Sequence, residues 1–136
     1  MPHYRRPHSR RALRRLNARQ RKKYHLGEYQ NLIFCVQGCL KSEYQTFAAF
    51  EQFCGKLLSF IAANGICMTS CGGAADFQII FDTARRSVPA LTAAQRQTVL
   101  EMLLSLPELA HLRAGNLIDG FYADETAYET YPEILK

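Results

Sequence analysis

A chain whose first 25 residues hold ten cations and no acid must build its core from the remaining residues. The cations are Arg5, Arg6, Arg10, Arg11, Arg14, Arg15, Arg19, Arg21, Lys22 and Lys23, so this segment carries +10. Residues 26–136 hold seven cations against twelve acids, net −5, and the overall +5 hides two opposite electrostatic bodies. A block of like charge repels itself and stays disordered or partly helical until a polyanion neutralises it. Nucleic acid and an anionic membrane both qualify. Eight of the ten cations are Arg, whose planar fork grips phosphate in bidentate fashion and stacks on bases, and this favours RNA or DNA over lipid. The plainer reading is a solvated arm that touches nothing specific.

At 136 residues with 48% hydrophobic content, the chain suits one domain with a sizeable core and an arm, with no room for a second domain. No apolar run approaches the roughly 20 residues of a membrane helix, and no secretory signal follows the basic start. A soluble protein is expected. The acid-free start also looks like a mitochondrial transit peptide, a reading disfavoured by its single Ser9 and by the lack of a linker before folded-looking sequence.

From Asn31 the pattern changes. Leu32-Ile33-Phe34-Cys35-Val36 reads as a buried strand ending near Gly38 to Leu40. Ser42 with Gln45 forms a capping-box pattern, and Phe47, Phe50, Cys54, Leu57, Leu58 and Ile61 follow helical spacing until Asn64-Gly65. Gly55 inside that helix marks either close packing on the sheet or a weak point. Ile66 to Cys71 and Phe77 to Phe81 read as a hairpin about the turn Gly72-Gly73-Ala74-Ala75. Residues 83–90 read as a polar loop. Thr92 and Gln95 offer a second capping box ahead of Val99, Leu100, Leu103 and Leu106, with Pro107 as the stop. Leu112 to Tyr122 reads as a last strand despite Gly115 and Gly120. The order predicts an α+β, two-layer βαββαβ sandwich of the ferredoxin-like kind, with both helices on one sheet face. Residues 1–25 are then a basic arm, 26–123 the α+β domain and 124–136 a loose acidic tail.

Five cysteines in a chain with no secretion signal suggest reduced thiols. The equal spacing of Cys35 to Cys39 and of Cys67 to Cys71 invites a zinc site. On strands, residues four apart share a face but stand about 13 Å apart, too far for one ion with bonds of about 2.3 Å. Buried small hydrophobes are the better account unless a bulge at Gly38 or a turn at Gly72 folds the pairs inward, so no metal is expected.

The triplet Arg21-Lys22-Lys23 is followed in register by His25, Glu28, Tyr29 and Gln30 and then by the first strand. This segment resembles the start of the YggL family of small bacterial proteins, which runs basic cluster, His, two residues, Glu, aromatic, Gln, strand. Looser likeness extends to the glycine turn near Gly72, the second helix, and Phe121-Tyr122 followed by Asp124. The chain departs from the family pattern at Ile33, in the loop 83–90 and in the tail from Thr126. The resemblance implies a non-enzymatic cytoplasmic protein that associates with the large (50S) ribosomal subunit. Its partners would be rRNA and neighbouring ribosomal proteins, with no membrane, cofactor or small-molecule substrate.

Arg10, Arg11, Arg14, Arg15, Arg19, Arg21, Lys22 and Lys23 are the candidate rRNA-phosphate contacts, with Arg5 and Arg6 nearer the frayed end. His25, Glu28, Tyr29 and Gln30 sit where arm meets domain and are the candidate arm-docking residues. Tyr29 there either stacks on a base or packs on the core, and His25 and Glu28 either aim the arm or cap the first strand. The alternative function is an RRM-like single-stranded RNA-binding domain, since Leu32 to Val36 resembles an aromatic strand motif. Its partner strand Asp76 to Phe81 lacks the basic start and glycine such a domain uses, which makes Phe34, Phe77 and Phe81 core rather than base platforms. No Gly-rich phosphate loop and no nucleophile–base arrangement supports an enzyme. The one compact polar cluster, Asp82 with Arg85 and Arg86, reads as a solvated loop pair.

Overall fold

The computed structural model describes residues 19–20, 32–83, 90–120 and 130–136. Strand β1 (Leu32–Leu40) leads through a short 3-10 turn at Ser42–Tyr44 into helix α1 (Phe47–Ala63). Strands β2 (Ile66–Gly73) and β3 (Asp76–Thr83) form a hairpin, and helix α2 (Ala93–Ser105) returns the chain to β4 (Leu109–Ala114). Two short strands come last, β5 (Ile118–Asp119) and β6 (Glu133–Ile134). The sheet runs β2-β3-β1-β4-β6, with β5 pairing the start of β1, and every pair is antiparallel. The expected mix of helix and antiparallel sheet is present.

Side chains alternate across a strand, so one set of positions fills each face. Phe34, Val36 and Leu40, Phe77, Ile79 and Phe81, and Leu112 and Ala114 make one core with Phe53, Leu57 and Ile61 of α1 and Val99, Leu100 and Leu103 of α2. Both helices therefore cover the same face. Phe34 and Phe81 are opposite in register and stack with ring centroids 4.8 Å apart. The three aromatics of the RNA-platform reading are buried beneath the helices and present no ring to a base. Gly38 lies where β1, β4 and the Phe77 ring converge. A methyl there would meet the His111 carbonyl oxygen and approach Phe77 Cζ to 2.9 Å, so only hydrogen fits.

Several expectations need correction. Ser42 does not cap α1. It opens the 3-10 turn, Gln45 sends its side-chain amide back to the Leu40 carbonyl at 3.0 Å, and Thr46 is the cap, accepting from the Ala49 amide. The buried residues of α1 are Phe53, Leu57 and Ile61, with Phe50 and Cys54 packed against the core, while Phe47 is 83% and Leu58 48% exposed. Gly55 faces open space, so close packing is not its reason. Of the cysteines, Cys35 is buried, Cys39 and Cys54 are intermediate, and Cys67 and Cys71 are exposed, because the last two occupy the helix-free side of β2. The last strand begins earlier, at Leu109, and breaks at Gly115, whose amide donates to the Cys35 carbonyl at 2.8 Å before β5 forms. Residues 133–134, expected within a loose tail, pair with β4. The loop residues 84–89, including Arg85 and Arg86, lie outside the described residues.

Candidate nucleic-acid interface

Of the eight candidate phosphate contacts, Arg19 is described, and it is exposed. Arg10, Arg11, Arg14, Arg15, Arg21, Lys22 and Lys23 lie outside the described residues, as do His25, Glu28, Tyr29 and Gln30. The segment that holds them is joined covalently to the start of β1, a strand flanked by β3 on one side and by β4 and β5 on the other.

The face of the sheet opposite the helices is polar where it is open. Gln37 of β1 and Gln78 of β3 point to it, with Asp76 and Asp82 toward β2 and His111 and Arg113 toward β6. Gln37 Nε2 donates to Asp76 Oδ1 at 3.4 Å, and Gln78 donates its side-chain amide to the Tyr131 hydroxyl. Tyr131 thereby walls a groove of about 500 Å³ whose floor is Gln37, Gln78 and Arg113 and whose far side is Cys71, Gly72 and Asp76. A neighbouring hollow of about 380 Å³ is lined by Cys39, His111, Ile134 and Lys136. Arg113 and Lys136 make no ion pair among the described residues, which leaves two cationic donors at the β4–β6 end beside the His111 imidazole. In the sequence His111 looks isolated from the other histidines. The signal for its place is the alternation in Leu109 to Ala114, where His111 and Arg113 share the face opposite Leu112 and Ala114.

Arg96 of α2 holds this end together. Its Nη2 meets Glu133 Oε2 at 2.7 Å, its Nε donates to the Gly115 carbonyl at 3.0 Å, and its guanidinium lies 6.0 Å from the Phe34 ring centre. One side chain thus joins α2, the β4–β5 bend and β6. On the other flank Lys56 pairs with the buried Glu108 at 3.2 Å, tying α1 to the turn before β4.

The chemistry available is hydrogen bonding and charge. Burial pushes the Cys35, Cys54 and Cys67 thiols up, and the nearby Asp82 charge raises Cys67 further. These sulfurs therefore stay protonated and weakly nucleophilic at neutral pH. No cluster of metal-ligating side chains occurs among the described residues. No described helix is long and apolar enough to cross a membrane.

No curated protein and no solved structure matches the chain significantly. Residues 18–122 do match a family model, that of the YggL 50S ribosome-binding protein, and the span takes in the basic cluster Arg21-Lys22-Lys23 and every strand from β1 to β5. The chain belongs to that family.

Proposed function

We propose that this protein is a non-enzymatic, cytoplasmic binder of the large ribosomal subunit whose arginine-rich arm contacts rRNA phosphates. The family match over residues 18–122 carries the reading, and the charge division gives it a mechanism. An arm of +10 is drawn to a polyanion, whereas a body of net −5 is not drawn to one by its overall charge. The strand order β2-β3-β1-β4, with both helices on one face, supports a ferredoxin-like split βαβ body. Phosphate contacts set position and carry little sequence information, so selectivity comes from RNA shape and from what the body touches. The open face with His111, Arg113 and Lys136 beside the Gln37 and Gln78 amides is the body's natural second contact.

Six phosphate contacts would give a log-affinity against log-salt slope of about −4 to −5 through counterion release. The test is sedimentation with ribosomal subunits through gradients at low and high salt, comparing the intact chain with one lacking residues 1–24. Co-migration of the intact chain with large subunits, lost on truncation and at high salt, is the expected result. Co-migration of the truncated chain relocates the interface to the body, and no co-migration of either defeats the proposal.

A further inference from the structure

Among the described residues strand β2 ends the sheet on one side. In an antiparallel strand the N–H and C=O of a residue point the same way and the next residue points oppositely. The Leu40 amide donates toward the β3 side, to Ala74, and the Cys35 carbonyl accepts from Gly115 on the β4 side. Even-numbered residues of β1 therefore face β3. Carried through the registers, Asp76, Gln78, Ile80 and Asp82 face β2 and bond Gly73, Cys71, Thr69 and Cys67. The backbone groups of Ile66, Met68, Ser70 and Gly72 are left pointing away from the sheet, with no partner among the described residues.

Edge strands are normally protected by charge, proline, a bulge or a covering segment. Ile66-Cys67-Met68-Thr69-Ser70-Cys71-Gly72-Gly73 has neither charge nor proline, and it pairs β3 in unbroken register. Its residues from Thr69 to Gly72 are exposed. Such a strand offers nothing to attract a charged peptide and nothing to repel its own copy.

We propose that β2 pairs antiparallel with the β2 strand of a second copy of this chain. Outward backbone groups must meet outward groups. One register leaves none of the four outward residues unpaired, placing Ile66 opposite the partner's Gly72 and Met68 opposite the partner's Ser70. Thr69 then lies on the two-fold axis, and Cys67 stands opposite the partner's Cys71 on the helix-free side. These thiols occupy a non-hydrogen-bonded pair, where Cα atoms lie about 4.5 Å apart, within the range a disulfide spans. The inference goes beyond ribosome attachment and is tested on purified full-length protein without ribosomes.

Sedimentation equilibrium under reducing conditions at high micromolar concentration is expected to show a monomer–dimer equilibrium. Thr69→Lys, an exposed position that sets two ammonium groups face to face on the axis, should weaken it by at least about tenfold, and an equal mixture with Thr69→Glu should restore it. Diamide, which takes two electrons and two protons from a thiol pair, should trap the dimer through Cys67 and the partner's Cys71. Cys67→Ser alone and Cys71→Ser alone should then give no trapped edge dimer, while the mixture of the two variants should. A monomer at every concentration overturns the proposal, including one that takes up an extended foreign peptide along β2. So does a dimer indifferent to Thr69→Lys, or one that peptide mapping joins through Cys39 or Cys54.

Discussion

The two edges of the sheet are finished by different means. On the β4 side the Leu112 carbonyl accepts from the Leu135 amide at 2.9 Å, the Leu112 amide donates to the Lys136 carbonyl at 3.1 Å, and Arg96 fastens Glu133 over the join. On the β2 side the outward groups meet no described residue, and the strand depends on β3 and on the turn that connects them. Among the described residues one edge is closed by long-range polar contacts, whereas the other is open and held in place by its hairpin with β3 and by packing against α1. The two should consequently fail independently.

The largest effect is expected from Gly72→Ala. Gly72 sits at φ +88, where a methyl would also collide with the Asp76 carbonyl oxygen, so the hairpin must shift. A loss of about 2–4 kcal/mol is expected in urea unfolding, from left-handed backbone strain plus the collision. Hydrogen exchange in this variant should quicken across β2 and β3 first, leaving the Leu135 amide protected. Equal quickening at both edges would merge what the comparison separates.

Arg96→Ala comes next. It removes a charge-assisted bond to Glu133 and the bond to the Gly115 carbonyl. Because Glu133 is partly exposed, a loss of about 2 kcal/mol is expected. The Leu112, Leu135 and Lys136 amides should lose protection while β2 and β3 are unchanged. Retained protection at Leu135 would mean that β6 holds without its clamp.

Asp82→Asn gives the smallest change. Burial pushes the Asp82 carboxyl above its ordinary 3.8, and the Thr83 amide that donates to it at 2.7 Å offsets only part of that rise. An acid whose folded pKa is raised contributes stability that is complete below the unfolded value and lost as pH climbs through the folded one. Asparagine keeps an acceptor for Thr83 and carries no charge. Its urea midpoint should fall less than that of the parent chain as pH rises from below 3.8 to neutral, and an unchanged pH profile would show that the carboxylate is well solvated.

Both capping patterns are equally visible as letters, yet only one forms as read. Thr92 accepts from the Gln95 amide while Gln95 returns the bond to the Thr92 amide. Ser42 does not cap because it opens the 3-10 turn and Gln45 is drawn back to the Leu40 carbonyl, which leaves Thr46 as the cap. Phe47, core by its spacing, sits in the first turn of the helix and lies in solvent, while Phe53 is buried. Strand identity is legible from β-formers and alternation, but not the face on which Cys67 and Cys71 emerge, which depends on where the helices settle. β6 is invisible for a different reason: two residues with one acid have no strand pattern of their own, and they pair because Leu112 has backbone groups to satisfy. Of the candidate interface, the basic segment is plain in the sequence from charge alone, whereas the His111–Arg113–Lys136 end exists only once β4 and β6 are brought side by side.

Because β1 runs between two ladders, the basic segment is tethered to the middle of the body and not to its rim. Tension applied along that tether is shared by the hydrogen bonds to β3 and to β4 and β5 at once, a shearing load that must break many of them together. The same pull on an edge strand would unzip one ladder a bond at a time. If the basic segment is the grip, the load enters the body through a strand held by two ladders and not through an edge.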